Sequence, residues 1–563
     1  MTLKQLGAAL VLLILTVGAA NAQESVYTLL PFNGDPARYV DAQFVADTTA
    51  TNGLLANRVY ELKRDSVYLT HAILTIQAGE TLRLRAEAGA GKKPIIYLWE
   101  TGTGGSPTRP PGNFTVLNGG NLEVTNVCIA GYYEPEPDRV DGVQGGLINT
   151  TAAGSSIILD GVVFSNINGQ HVRTGSNSVK VSITNSIFAN MGSLSTSNFG
   201  AGKGIDLRDV SCDSLIIQNN TFVNYQDRPI RHYNFGNPLA GTGPIGYGLI
   251  DHNTFINGMG FHGLFSLGNI GNEMTITNNL FIDAFALGED STDATRAAEW
   301  ANTGEVYASN GQNRITWIFS APNDTTQWRI HNNYFSVSDS GQAFLTARSY
   351  PIGSKLSWHI NTKLQAQGGD STTAFQQVTL GLGNIPKLMT VLMRWYEAPN
   401  GGGRIKDQTN YDRTRDDYDR RPITYYRDTL DGSYSNASAA YTGGVAGFPV
   451  GDLNWFPTEK AQWLVTGVEQ GSNVIPDVFT LDQNYPNPFN PATKIVYGLP
   501  TQARVKLEVY DLLGRVVATL VDNQQQAGQH TVEFDGSKLP SGFYIYRLST
   551  PNQTIAGKMV LIK

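Results

Sequence analysis

A group of side chains able to move a proton or to neutralise a carboxylate falls between His171 and Phe265. Lys203, Arg208, Arg231 and His232 are the types that do this work. Guanidinium forks match carboxylate and sulfate, and histidine exchanges protons near neutral pH. His171, Arg173, Arg228, Tyr233 and Phe265 flank them as candidates to hold a substrate. Asp206, Asp209 and Asp227 are close enough in sequence to offset some of the charge. The chain as a whole is acidic, with 41 basic against 48 acidic residues and a net charge of −7. That argues against nucleic-acid binding as a property of the whole protein, but it leaves room for a local basic patch.

These residues sit inside a repeat. The phrases "VTNVCIAG", "LDGVVFSN", "ITNSIFAN", "IQNNTFVN", "IDHNTFIN", "ITNNLFID" and "IHNNYFSV" share the template aliphatic-x-Asn-x-x-Phe-x-Asn. The first Asn column runs Asn126, Gly161, Asn185, Asn219, His252, Asn278 and Asn332, at intervals of 35, 24, 34, 33, 26 and 54 residues. A unit near 24 residues with loop insertions fits the first five intervals, and a unit of that size means a solenoid or an array. The alternating apolar positions and the Asn and Gly at bends make the units β-like. Asn at a bend tolerates left-handed backbone and can hydrogen-bond its neighbours in a ladder.

After several phrases comes a second short strand: "GLIN", "HVRT", "DLRD", "PIRH" and "GLFS". Their outward column reads Asn149, Arg173, Arg208, Arg231 and Phe265, which precede the next Asn-column position by 12, 12, 11, 21 and 13 residues. In that register three arginines stack in consecutive turns ~4.8 Å apart. Like charges so close repel, so aspartates or an acidic polysaccharide should offset them. Other motifs carry no chemistry. "GTGPIG" lies in an insertion with a proline inside it and no helix after it, and "GAGKKP" lacks phosphate-loop spacing.

The repeat from about Leu74 to Phe335 resembles the right-handed parallel β-helix of pectate lyases and other polysaccharide lyases, with Val59–Leu98 as opening turns and cap. "GFPVGDLNWFP" looks like a closing segment, and Ile385–Ala398 reads as an amphipathic packing helix. The resemblance implies uronate chemistry. One group neutralises the carboxylate so that the adjacent carbon acid can ionise, and another abstracts the proton. The arginine column would supply the first, and Lys203, His232 or Tyr233 the second. Calcium sometimes replaces the neutralising arginine in such enzymes, and Asp206 or Asp209 could bind it. A binding or spacer protein without catalysis is the rival expectation.

The ends carry addresses. "MTLKQLGAALVLLILTVGAANAQES" has a basic start, an apolar run too short to span a bilayer and an Ala-Asn-Ala cleavage site, so residues 1–22 read as a signal peptide. No later segment is long and apolar enough to span a membrane. "LDQNYPNPFNPATKIVYGLP", "DLLGR", "LPSGFYIYRL" and the final "KMVLIK" closely resemble the type A C-terminal sorting domain of type IX secretion. That resemblance implies recognition by the type IX machinery, and an extracellular or outer-membrane-surface location on a Gram-negative bacterium. Cys128 and Cys212 are too few for a disulfide framework; two thiols or a single bridge stay open. The expected fold class is all-β. A parallel β-helix with N-terminal cap and closing segment spans 23–465. A linker follows over 466–480, then a small immunoglobulin-like β-sandwich over 481–563.

Overall fold

The computed structural model describes residues 24–99, 112–131, 144–192, 202–232, 243–285, 316–320, 325–348, 355–369, 371–381, 386–403, 430–466 and 479–481. In the tail it describes 484, 487, 489–499, 502–511, 513–525, 528–551 and 553–562. The signal peptide, Tyr233 and most of the expected linker lie outside the described residues.

Each coil of the body contributes one strand to each of three parallel sheets. In one coil Cys212–Gln218 joins the first sheet, Thr221–Tyr225 the second and Ile230–Arg231 the third, before Ile245–Asp251 returns to the first. Ten strands line up in the first sheet, from Ser25–Thr28 to Gln327–His331. This is the parallel β-helix that the repeat predicts. The template aliphatic residues form one inward row, Leu84, Val124, Leu159, Ile183, Ile217, Ile250, Ile276 and Ile330. The template phenylalanines form another. Phe188, Phe222, Phe255 and Phe281 stack with centroids 4.8, 4.9 and 5.0 Å apart and planes within 14°. Every one of these rings is fully buried.

The first Asn column makes the corner between the first and second sheets. All seven positions have left-handed backbone, with φ from 50° to 64°. Only glycine, or a short polar side chain that bonds locally, takes that conformation cheaply. The hydrogen-bonded ladder is not this column but the next residue along. Asn220, Asn253, Asn279 and Asn333 point inward, and each amide donates to the next at 3.0, 3.0 and 2.9 Å. Each ladder carbonyl also accepts a backbone N–H from the coil before it, at 3.0, 3.0 and 3.1 Å. The sequence template pointed to the residue that turns the chain; the residue that satisfies the buried corner is its neighbour.

The expected closing segment is a strap rather than an end plug. It runs along the same corner, against the direction of the coils. Gly443 accepts from Asn332, Val445 donates to Asn278, Asn454 donates to the Asn219 carbonyl, and Lys460 donates to Asn185. Helix Leu388–Glu397 does form, and its N-terminus is held by Asn257, which accepts from Met389 and donates to Thr390. Its buried face packs with Met259, Phe261, Phe285 and Phe344 beside the corner between the second and third sheets. Both cysteines are free and buried. The tail forms two antiparallel sheets of three and four strands around its own core, including Phe489, Tyr497, Leu507 and Tyr546.

Asn253→Ala removes the centre of the ladder and leaves buried groups on Asn220 and Asn279 unpaired. It should cost about 3 kcal/mol. Thermal unfolding of the body measures this, with exposed Asn454→Ala on the strap as the milder comparison.

Candidate functional site

The third sheet carries the charged column, in a register that differs from the expected one. Asn149 pairs with Arg173, Arg173 with Asp206, Asp206 with Arg231, and Arg231 with Ser266. Asn149, Arg173 and Arg231 hold the expected places. Arg208 and Phe265 do not. Arg208 and Asp209 take consecutive left-handed conformations, φ 50° and 64°, so the chain turns away before Arg208 can join the column. Asp206 stands there instead. Phe265 is one residue off, and one residue of slip puts a side chain on the opposite face; it is fully buried against Phe255 and Phe281.

Charges in the column therefore alternate. Arg231 Nε donates to Asp206 Oδ1 at 2.7 Å. The Arg208 N–H also donates to Oδ1, at 3.1 Å, and its guanidinium lies 4.0 Å from Oδ2. Burial and the neighbouring Arg231 and Arg173 push the Arg208 guanidinium below its ordinary value. Its side chain, 40% exposed, is the open end of the cluster.

Behind the column, the corner residues Asp227 and Arg228 form a second centre. Asp227 is fully buried and faces three basic groups. Lys203 Nζ is 3.1 Å and Arg228 Nε 3.4 Å from its Oδ2, and His262 Nδ1 is 2.9 Å from Oδ1, which also accepts the His262 N–H at 3.0 Å. Burial alone would raise this carboxyl; Arg228, His262 and Lys203 outweigh it and hold Asp227 well below the usual range. Burial pushes Lys203 down to about 8 against the pull of Asp227. Arg228 Nη1 donates to Ser266 Oγ at 3.1 Å, tying this centre to the column.

Both expected histidines have other tasks. His171 is buried beside Phe164 and Phe188, and burial takes it down to about 3. His232 Nε2 donates to the Val210 carbonyl at 3.0 Å, while Nδ1 accepts the Gly268 N–H at 3.1 Å. Burial holds it down to about 4, a neutral ring that fastens backbone. The calcium expectation also fails on chemistry: Asp206 already faces two arginines, so a cation there meets like charge. Among the described residues no group of three or more His, Cys, Asp and Glu could hold a metal ion. His262 escaped the sequence reading. It lies on the corner after "IDHNTFIN", as Asp227 lies on the corner after "IQNNTFVN"; comparing corners rather than strands would have paired them.

The cluster gathers five cations, Lys203, Arg173, Arg208, Arg228 and Arg231, against Asp206, Asp209 and Asp227. Two guanidinium nitrogens cut off from solvent, Arg173 Nε and Arg231 Nη2, have no hydrogen-bond partner. Such nitrogens are costly to leave unmade. What they lack is an anion.

Fold and tail together define a secreted or cell-surface parallel β-helix protein. Residues 483–563 match the family described as the secretion system C-terminal sorting domain, the tail read by the type IX machinery. No curated protein matches the chain. Among the described residues no helix is long and apolar enough to cross a membrane.

The Lys203 amine is more readily neutral in the fold than in the unfolded chain. Unfolded chains then bind the extra proton between about 8 and the ordinary lysine value, so this residue makes folding more favourable as pH rises through that window. Melting curves of wild type and Lys203→Met between pH 7 and 10 should converge at the alkaline end, after subtraction of their common trend.

Proposed function

We propose that this protein binds an acidic polysaccharide at the third-sheet cluster and cleaves it by β-elimination. The observation that carries this reading is the surplus of basic groups, with unpartnered Arg173 Nε and Arg231 Nη2, in a chain of net charge −7. A uronate carboxylate or a sulfate ester supplies acceptors in the fork geometry those nitrogens require. Lys203 and Arg231 are only 5% and 6% exposed, so what reaches them is a narrow anionic group entering beside Arg173 and Arg208, not a broad polymer face.

In the chemical step Arg231 and Arg173 neutralise the uronate carboxylate, which acidifies the adjacent C5–H. Neutral Lys203 takes that proton, the C5 electron pair forms the C4–C5 double bond, and the C4–O4 bond breaks. With Lys203 lowered to about 8, a useful fraction of the amine is neutral near physiological pH. The signal peptide and sorting tail suit a protein working outside a Gram-negative cell, free or held at its surface after removal of the tail within 466–480. A second reading, a structural spacer, draws support from the Arg231–Asp206 pair at 2.7 Å. In that case the arginines serve the fold alone.

Incubation of the mature body with polygalacturonate, alginate and chondroitin sulfate tests the proposal through the ultraviolet absorbance of unsaturated ends. Product is expected on one of them, and retention of that polymer in affinity electrophoresis should weaken with salt. Arg173→Ala and Arg208→Ala should each weaken binding about tenfold. Absence of both retention and product on all three sinks this reading in favour of the spacer.

A further inference from the structure

We infer that His262 is the general acid partner of Lys203, the two acting as an acid–base pair across the shared carboxylate of Asp227. This rests on the β-elimination reading above and adds the half of the reaction it leaves open: the proton that the departing sugar oxygen must receive.

The geometry starts from Asp227. It is ionised and can only accept, so the imidazole nitrogen 2.9 Å away, Nδ1, carries a hydrogen. Proton exchange is then confined to Nε2. The His262 N–H donates to the same oxygen at 3.0 Å, which fixes the residue at two points. A ring so oriented by a carboxylate has the arrangement used wherever histidine passes protons along one direction. Packing fixes it further. Phe261 meets the His262 ring edge-on at 4.9 Å, and the Tyr396 ring of the buttressing helix meets Phe261 at 5.8 Å.

Lys203 approaches the other oxygen, Oδ2, at 3.1 Å. Two proton carriers therefore address opposite oxygens of one buried anion. Elimination needs this division of labour. Lys203 gains the C5 proton and becomes ammonium; His262 releases a proton from Nε2 to O4 and becomes neutral. The net charge around Asp227 is the same before and after, so no uncompensated charge develops in a buried site. The Nδ1 hydrogen stays toward Asp227 throughout. His171 and His232 cannot take this part: the first is sealed in the core, and the second spends both nitrogens on backbone.

The test separates leaving groups. Wild type and His262→Gln are compared on whichever polymer is turned over and on a synthetic uronide bearing 4-nitrophenolate at C4, which departs without a proton. Loss of a general acid should lower kcat/KM on the polymer about a hundredfold while leaving the aryl substrate within about threefold. The alkaline limb of the polymer pH profile should vanish with it. Lys203→Met should abolish both reactions. An equal loss on the two substrates, or none, overturns the assignment while the lyase reading stands. If His262→Gln does not fold, the wild-type dependence on leaving-group acidity decides: shallow with acid assistance, steep without it. If wild type acts on neither kind of substrate, the lyase reading itself fails and takes this inference with it.

Discussion

The whole body depends on one recurring corner, where the chain leaves the first sheet and enters the second. Each coil must turn there in a left-handed conformation, and each must bury backbone groups that neither sheet satisfies. Asn126, Asn185, Asn219, Asn278 and Asn332 meet the first demand. The amides of Asn220, Asn253, Asn279 and Asn333 meet the second by bonding both to one another and to backbone. With that corner constant, each coil restarts in register however long its other loops are. The interval between coils can range from 24 to 54 residues without disturbing the stacked phenylalanines. Chemistry then collects at the corner free to vary, between the second and third sheets, where Asp227, Arg228 and His262 lie.

Electrostatics decides how that variable corner is filled. Two unit charges ~4.8 Å apart repel by roughly 3 kcal/mol even at an effective dielectric near 20. Three arginines in adjacent coils would bear that cost twice. Asp206, standing between Arg173 and Arg231, turns both repulsions into attractions. The same logic places Asp227 among Lys203, Arg228 and His262. Compensation stops short of neutrality, and the shortfall is what distinguishes this cluster from the matched pairs Arg83–Glu123 and Arg85–Glu61 on the first sheet.

Much of the architecture was legible because a solenoid writes its period into the chain. The Asn column, the stacked phenylalanines and the tail motifs each follow from local residue types. The site was less legible, for reasons of register. Arg208 and Asp206 are two residues apart and both lie near the spacing that the repeat allows. Nothing in "DLRD" announces that its last two residues turn left-handed, and that turn decides which of the two reaches the column. Phe265 and Ser266 are adjacent, and a count accurate to one residue cannot tell inside from outside. His262 was hidden differently: its partner is 35 residues away in sequence, and only the stacking of corners brings them to 2.9 Å.

The strap gives the molecule sides. It spends its polar groups on the constant corner, bonding to Asn185, Asn219, Asn278 and Asn332 in reverse chain order. Asp452, buried within it, accepts from Thr221 Oγ1 at 2.7 Å. A ligand approaching there would have to displace bonds from several coils at once. The helix Leu388–Glu397 acts differently at the opposite corner: it packs apolar residues behind the His262 turn and leaves Arg208 exposed. One long corner is closed by hydrogen bonds and the other is stiffened without being closed at Arg208. The open side of the solenoid is therefore the side on which its excess positive charge resides.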